Sequence, residues 1–360
     1  MIHNPRIIRT KTFDPWWNLS VEEYLLDKVE PGQCILYLWQ NENTIVIGRN
    51  QNPWKECRTE LFENDGGKLA RRLSGGGAVF HDIGNLNFTF IASRELYDLE
   101  KQVRVILNAV NSLGIEAEMS GRNDLTADGR KFSGNAFCFR KTGAFHHGTV
   151  LVSADFGRLA KYLQVSSEKM RSKGVESVRS RVVNLTEFEP KLTIDIMAEA
   201  LIKSFRASYE CTSPVEDAMK GGKEDREVLE ELYCKYSSWN WRYGEAPKFD
   251  VDVETRFTWG GVEIGFKLEN GLVRDASVFS DAMDEAYIAE LPELFKGCAF
   301  TSQQLAQRLR ESAGESVACV TSDEPAGTDS KREMAFNTAE NNSKRSMTLD
   351  LAEWLEGKGF

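Results

Sequence analysis

The first half of the chain is a succession of short apolar segments separated by tight-turn sequences, and this pattern restricts the possible folds most. The clearest turn is Asp128-Gly129, which stands between strand-like residues 124–127 and 130–133. An Asp-Gly pair in this setting favours a two-residue hairpin, because both central positions need a positive φ. Residues 41–43 are interpreted in the same way, as the turn of a hairpin between strands 34–39 and 44–48. Consecutive hairpins predict an α+β fold, with a mixed, largely antiparallel sheet and helices packed against it.

The remaining elements are predicted from periodicity and breaker residues. A helix is expected after the capping pair Ser20 and Glu23, ending near residue 31. Further strands are expected at 69–73, 78–81 and 86–91 and, beyond 141–143, as far as residue 152; further helices are expected at 103–113, 193–209 and 224–236.

The chain changes character near Gly244-Glu-Ala-Pro247, which we interpret as a hinge between two domains. The prediction is a first domain at residues 1–246 and a small α+β domain at 247–360, the latter built on a three-strand meander. Residues 321–345 are polar and poor in large apolar side chains, so a flexible stretch is expected there, followed by a short helix at 349–355.

Composition excludes several classes of protein. The net charge is −10, which disfavours a broad nucleic-acid interface because phosphate binding needs an excess of Lys and Arg. No apolar run is long enough to span a bilayer, and we expect a cytoplasmic protein without a membrane partner. The seven cysteines are widely scattered and only four histidines exist, which disfavours both a disulfide framework and a cysteine-rich zinc site.

The densest group of candidate functional residues lies in the segment 71–81, which reads RRLSGGGAVFH. The consecutive residues Gly75, Gly76 and Gly77 leave backbone N–H groups accessible to a ligand, because no Cβ covers them. Arg72 and Ser74 at the edge of this triplet would add a charge and a hydroxyl group to an anion-binding site. Taken alone, a glycine triplet is more often a plain flexible turn.

A second group is carried by the Asp-Gly hairpin. The turn brings Asn123 and Asp124 close to Lys131 and Ser133 on the neighbouring strand. This arrangement suits a ligand-binding site, although a solvated hairpin with a surface ion pair has the same pattern.

A third candidate group is the pair His146 and His147, which leads into an apolar strand. Adjacent strand residues face opposite sides, so both histidines cannot serve one site.

Together these segments resemble the lipoate–protein ligase A family of the biotin/lipoate protein ligase superfamily, whose fold is similar to class II synthetases. The resemblance covers nearly the whole chain to about residue 318. Its matching stretches are 37–39, 47–57, 71–81, 121–125, 131–134, 146–149, 173–181, 237–241 and 256–262.

The resemblance implies a catalytic first domain that condenses lipoate with ATP, giving lipoyl-adenylate and pyrophosphate, and that uses Mg²⁺. The lipoyl group is then passed to a lysine of an acceptor protein. The implied acceptors are the lipoyl domains of 2-oxoacid dehydrogenase E2 subunits and the glycine cleavage H protein.

The resemblance also implies roles for individual residues. Lys131 would contact both the lipoate carboxylate and the α-phosphate. The nucleotide would be bound by Arg72, Gly77, Ala78, Val79 and Phe80. Lipoate would be bound by Trp39, Ser74, Gly75, Gly76, His81, His147 and Gly148. Asn85, Asn123, Ser133 and Gly134 would support the site, and Asp124 would be the Mg²⁺ ligand. Trp39 could equally be ordinary sheet core.

The alternatives differ in the reaction. An octanoyl or lipoyl transferase of the same fold would need no ATP, but the position of its nucleophilic cysteine is Ala144 here. Cys138, on a nearby predicted strand, could replace that nucleophile. A transferase that accepts preformed lipoyl-adenylate is a further alternative. The rival from another class is a non-catalytic carrier-binding or RNA-binding module on a synthetase-like fold.

Overall fold

The structure is a computed structural model that describes residues 4–120, 124–163, 182–218, 223–243, 251–269, 271–315 and 328–358. Asn123 and the candidate hinge at 244–247 lie outside these ranges. The chain divides into two compact units, Met1–Glu245 and Ala246–Phe360. None of the helices in the described ranges is both long and apolar enough to cross a bilayer.

The first unit contains the elements that position the site. Its strands are β1 (Asn4–Arg9), β2 (Gln33–Trp39), β3 (Thr44–Ile47), β4 (Lys68–Arg71), β5 (Val79–His81), β6 (Asn85–Ser93), β7 (Ala117–Ser120), β8 (Asp124–Ala127), β9 (Arg130–Phe139), β10 (Gly143–Leu151) and β11 (Val215–Asp217). Its helices are α1 (Pro15–Lys28), α2 (Pro53–Glu56), α3 (Thr59–Asn64), α4 (Leu99–Asn111), α5 (Phe156–Tyr162), α6 (Ile194–Tyr209), α7 (Lys223–Ser237) and α8 (Trp239–Arg242).

The main sheet has eight strands in the order β11-β1-β2-β6-β10-β9-β8-β7. β1 pairs in parallel with β2 and β11, and the other pairings are antiparallel, which confirms the predicted mixed sheet. The predicted hairpin joins β8 to β9. Asp128 (φ 50°) and Gly129 (φ 68°) both adopt the positive φ that its two-residue turn requires.

The predicted hairpin between residues 34–39 and 44–48 is wrong. β2 pairs with β1 and β6, whereas β3 is the central strand of a separate sheet in the order β4-β3-β5. All seven residues of β2 are buried, as in a strand covered on both faces. Residues 72–78, which contain the glycine triplet and which we call the glycine segment, therefore connect the two outer strands of the small sheet.

Two layers cover the main sheet. On one face, Phe88 and Phe90 of β6 belong to the hydrophobic cluster that includes α4 and α6. On the other face, Tyr37 and Trp39 of β2 pack in a cluster with α1, α7 and residues of the small sheet. The predicted start of α1 is corrected: the helix begins at Pro15, and Asp14 caps it by accepting the N–H groups of residues 16 and 17.

The second unit is the predicted small α+β domain. Its strands β12 (Val251–Phe257), β13 (Gly260–Glu269) and β14 (Leu272–Ser280) form an antiparallel meander, which packs with α9 (Glu285–Phe295), α10 (Ser302–Glu315) and α11 (Thr328–Glu356).

The expected short closing helix at 349–355 is only the end of α11. Residues 328–345 are helical, contrary to the predicted flexible stretch, and residues 321–327 lie outside the described part. The helical segment contains neither Gly nor Pro, and the helix gains tertiary packing where Met347 and Leu351 are buried.

Candidate active site

A row of side-chain positions crosses one face of the main sheet. Trp39 of β2 lies opposite Asn87 of β6, and Asn87 lies opposite Thr149 of β10. Thr149 Oγ1 accepts a hydrogen bond from the N–H of Gly134 in β9, and Gly134 lies opposite Asp124 of β8. Since residues opposite one another share a face of the sheet, these five positions form one continuous row, which we call the first row.

Lys131 occupies the end of the first row. A Cβ added to Gly134 would lie 3.0 Å from the Lys131 ammonium nitrogen, so this glycine makes the space in which the amine lies. The amine is 2.7 Å from Asp124 Oδ1, and both side chains remain partly exposed. The predicted proximity of Lys131 and Asp124 across the hairpin is therefore confirmed.

Ser133 does not join this pair. It lies opposite Leu125, whose side chain is in the cluster with α4 and α6. Neighbouring strand residues alternate between the faces, so Ser133 lies on the opposite side of the sheet from Gly134. The expectation that Ser133 joins Asp124 and Lys131 in one group is wrong for this reason.

A chain of buried hydrogen bonds forms the second row. Trp39 Nε1 donates to Thr89 Oγ1 (3.0 Å), which donates to Glu22 Oε1 (2.7 Å). The same carboxylate oxygen is 2.8 Å from His147 Nδ1, and His147 Nε2 is 2.7 Å from Ser74 Oγ. Glu22 comes from α1 and Ser74 from the glycine segment, so these bonds join three layers of the site.

The second row has the connectivity of a serine–histidine–carboxylate relay. Glu22 accepts a hydrogen bond from Nδ1–H of His147, which leaves His147 Nε2 to accept one from the hydroxyl of Ser74. His147 lies two residues along β10 from Thr149, a separation of roughly 7 Å. The relay is therefore displaced from the amine of Lys131, and its effect in this structure is to hold Ser74 and the glycine segment.

The glycine segment is tied down by the arginine that precedes it. The guanidinium group of Arg72 donates to the carbonyls of Gly75 (2.7 Å) and Gly77 (2.8 Å), and also to Val46 O (3.1 Å) and Ser74 Oγ (3.0 Å). These bonds exclude the alternative of a plain flexible turn. They also give Arg72, which we expected at a nucleotide phosphate, an anchoring function within the protein.

Gly48 makes the close packing of this segment possible. A Cβ at Gly48 would lie 2.2 Å from the carbonyl oxygen of Gly76, which itself has a φ of 87°. By contrast, among the described residues other than its chain neighbours, no atom lies within 4 Å of a Cβ added at Gly77. Ala78 and Val79, which follow, are half-buried.

Arg71, which the motif contains but to which we assigned no role, is a second anchor. It donates to the carbonyl oxygens of Gly48, Gln51 and Trp241, as well as to those of residues 49 and 242. Burial lowers its pKa to about 10, with a further contribution from Arg49, so the guanidinium remains charged at neutral pH. Arg71 therefore holds the loop that follows β3, whereas Arg72 holds the glycine segment.

His81 is held neutral on β5. Its Nδ1 is 3.2 Å from Asn41 Nδ2, and Asn41 uses its oxygen to accept from Asn18 Nδ2 (3.0 Å). The amide of Asn41 is therefore the donor, which leaves the proton of His81 on Nε2. Burial, followed by the charge of Arg72, lowers the pKa of His81 to about 3. Within the described ranges this Nε2 has no hydrogen-bond partner.

Other predicted residues fall at the edges of this arrangement. Trp39 is buried in the sheet, as the interpretation as sheet core expects, and it has a place in both rows. Gly148 faces the opposite side of the sheet from the first row. A Cβ there would clash with Phe88 and Asn135, so close packing accounts for a glycine at this position.

The structure also locates the cysteine considered for the transferase alternative. Cys138 is buried four residues along β9 from Gly134, about 14 Å away, which is too far to act beside Lys131.

Three site residues were missed from the sequence: Glu22, Asn87 and Thr89. A signal for two of them was available, because Asn85, Asn87 and Thr89 place a polar residue at every second position of an otherwise apolar strand. No comparable signal marked Glu22, which is one of two consecutive glutamates in a helix that is buried on most sides.

Asp124 is the one predicted metal ligand that can be tested for fit. No group of three or more acidic, histidine or cysteine side chains lies close enough together to bind a metal in the described ranges. Magnesium is commonly held by one or two carboxylates together with substrate phosphates, and the partly exposed Asp124 carboxylate fits that mode of binding.

Two family models match the chain. Residues 14–206 match the lipoyl protein ligase A/B catalytic domain, and residues 246–319 match the bacterial lipoate protein ligase C-terminus.

Solved structures give the same assignment. LipL1 of P. falciparum, crystallised in complex with lipoate, is 28% identical, with a TM-score of 0.76 over 96% of this chain and 100% of that chain. A bipartite ligase of Thermoplasma acidophilum, described with its E2 lipoyl domain, is 28% identical, with a TM-score of 0.61 over 69% of this chain and 99% of that chain. A lipoate-protein ligase A bound with ATP is 26% identical, with a TM-score of 0.59 over 68% of this chain and 100% of that chain. Since the catalytic-domain model alone spans more than half of the sequence, the chain belongs to the lipoate–protein ligase family of enzymes.

Proposed function

We propose that this enzyme is an ATP-dependent lipoate–protein ligase, which activates free lipoate as lipoyl-adenylate and transfers the lipoyl group to a lysine of an acceptor protein. The observation that carries this proposal is the pairing of Lys131 with Asp124 at the open end of the first row, 2.7 Å apart. The match of residues 246–319 to the ligase C-terminus favours the ligase over the transferase.

Activation brings a carboxylate against a phosphate, and Lys131 offsets their repulsion. Two unit negative charges ~4 Å apart repel by about 4 kcal/mol at an effective dielectric constant near 20. A compact ammonium group can lie between both anions, and it stabilises most where negative charge develops in the transition state. Asp124 holds the amine in place before the substrates arrive.

Arg72 acts on the nucleotide through the glycine segment. In a trans peptide, a carbonyl and the following N–H point in opposite directions. Arg72 binds the carbonyls of Gly75 and Gly77, so the N–H groups of Gly76 and Ala78 are directed away from it. Backbone N–H groups presented together bind an anion, and we assign these two to the phosphates of ATP. Val79 and Phe80, which follow, would present backbone groups to the adenylate.

The lipoyl chain lies along the sheet face from Lys131 toward Trp39 and the second row. Burying its methylene groups contributes about 0.8 kcal/mol each. His81 faces this region as a neutral N–H donor, because its pKa is lowered to about 3.

Magnesium, bound by Asp124 and the phosphates, would neutralise charge on the nucleotide and orient it. Asp124 would then exchange part of its contact with Lys131 for the metal.

The acceptors we propose are lipoyl domains of 2-oxoacid dehydrogenase E2 subunits and the glycine cleavage H protein. The archaeal ligase described with its E2 lipoyl domain supports the first of these. The second rests on the family resemblance.

Pyrophosphate exchange tests the proposed function. The purified protein, given lipoate, ATP and Mg²⁺ but no acceptor, is expected to incorporate labelled pyrophosphate into ATP. An enzyme that shows no exchange, yet transfers the lipoyl group from added lipoyl-adenylate to a lipoyl domain, is a transferase, and the proposal is then wrong.

A further inference from the structure

Two buried asparagines on β6 form an incompletely satisfied pair. Asn85 Nδ2 donates to Asn87 Oδ1 (2.9 Å), and both side chains are at most 1% exposed. Asn87 Nδ2 and Asn85 Oδ1 have no hydrogen-bond partner in the part of the chain that the structure describes. An unsatisfied buried polar group costs about 1–3 kcal/mol, so a pair of them calls for an explanation.

The position of Asn87 indicates a ligand. It stands in the first row between Trp39 and Thr149, on the face of the sheet that carries Lys131. Neighbouring strands are ~4.8 Å apart, so one strand, β10, separates Asn87 from Gly134, over which the lysine amine lies. An acyl group in contact with Lys131 and extending along the row passes over Thr149 and comes within reach of the Asn87 amide.

We propose that Asn87 donates from Nδ2 to the carbonyl oxygen of the lipoyl-adenylate and stabilises the oxyanion formed during lipoyl transfer. This inference rests on the proposed function. It makes Asn87 a catalytic residue of the second half-reaction, and it makes Asn85 a positioning residue that holds the amide of Asn87 in one orientation.

The hydrogen bond from Asn87 stabilises the negative charge that develops on the carbonyl oxygen during transfer. The acceptor amine forms a bond to the acyl carbon, and the carbonyl electron pair moves onto oxygen. When the C=O bond reforms, the C–O bond to phosphate breaks, AMP leaves with that electron pair, and the amine loses its proton to solvent. A neutral donor held in a buried site favours the oxyanion and needs little reorganisation.

Lys131 and Asn87 therefore have different roles: Lys131 contacts the phosphate, and Asn87 contacts the carbonyl oxygen. The charged amine lies at the partly exposed end of the row beside Asp124, where it can follow the phosphate. The neutral amide of Asn87 lies deeper, where an unpaired charge would have a large desolvation free energy. An amide supplies a hydrogen bond there without that cost.

The test compares two isosteric variants that each lose a buried amide. Asn87→Leu removes the proposed donor. Gln102→Met removes a buried amide whose Nε2 is likewise unsatisfied in the described residues, but which contacts His146 on the other face of the sheet. Single-turnover transfer from preformed lipoyl-adenylate to a lipoyl domain is expected to slow ~10²-fold in Asn87→Leu only, with the affinity for the adenylate changed by less than about threefold.

Infrared spectroscopy provides a readout that needs no turnover. With ¹³C at the acyl carbon, the carbonyl stretch of bound lipoyl-adenylate is expected at lower frequency in wild type and in Gln102→Met than in Asn87→Leu. If Asn87→Leu does not fold, Asn87→Ala removes the donor without adding bulk or charge, and the same two measurements apply to it.

Three results would overturn the inference: transfer at the wild-type rate without the donor, an unchanged carbonyl frequency, or an equal loss of rate in Gln102→Met. Failure of the proposed function looks different, because the wild-type protein would then lack pyrophosphate exchange while the comparison of transfer rates could still be made.

Discussion

At the scale of single residues, the site depends on polar groups whose partners lie on other elements. Lys131 is aligned by Asp124 across one turn, which a local sequence pattern predicts. His147 is aligned by Glu22 from α1, 125 positions earlier in the chain, and no local pattern predicts this contact.

Lys131→Ala is expected to slow pyrophosphate exchange ~10²–10³-fold, because it removes a fixed donor to developing charge. Lys161→Ala is the matched control, since Lys161 forms a similar 2.6 Å ion pair with Asp65 away from the first row. Exchange is measured at saturating lipoate and ATP. A folded Lys131→Ala enzyme that exchanges like the control would remove Lys131 from the mechanism.

At the scale of elements, the glycine segment derives its shape from the strands on either side of it. Arg72 at the end of β4 binds the carbonyls of Gly75 and Gly77, and Gly48 after β3 admits Gly76 to close contact. A flexible sequence thereby becomes a fixed set of N–H groups.

Gly48→Ala is expected to weaken ATP binding ~10-fold and to lower the free energy of unfolding by about 1–3 kcal/mol, because the new methyl group displaces the backbone of the glycine segment. Gly314→Ala is the control, because a Cβ there has no atom within 4 Å among the described residues outside its own helix backbone. Calorimetric titration with ATP and urea unfolding measure the two effects. Unchanged ATP affinity in Gly48→Ala would show that the packing of this segment does not determine nucleotide binding.

At the scale of the whole molecule, the two units have separate hydrophobic clusters. Leu291 belongs to the cluster of the second unit, and Leu201 belongs to the largest cluster of the first. Among the described residues, each cluster is drawn from one unit, which predicts that the units unfold in separate transitions.

Leu291→Ala is expected to destabilise the second unit by about 2–5 kcal/mol and to leave the transition of the first unit in place. Leu201→Ala, an equally buried leucine, is expected to do the reverse. Differential scanning calorimetry checks both variants. A single transition that moves by the same amount in both would contradict the separation of the cores.

The sequence alone determined the features that depend on neighbouring residues. Asp128-Gly129 specified the β8–β9 hairpin and the approach of Asp124 to Lys131, because both turn positions require a positive φ. Strand alternation placed His146 and His147 on opposite faces, as their different partners confirm.

Only the tertiary structure decided which distant segments meet. β2 and β3 are close in sequence and enter different sheets, because the pairing of a fully buried strand depends on what covers both of its faces. The relay from Glu22 through His147 to Ser74 and the unsatisfied amide of Asn87 arise from the same cause. Their positions are set by long-range burial and register, which a local pattern of residues does not contain.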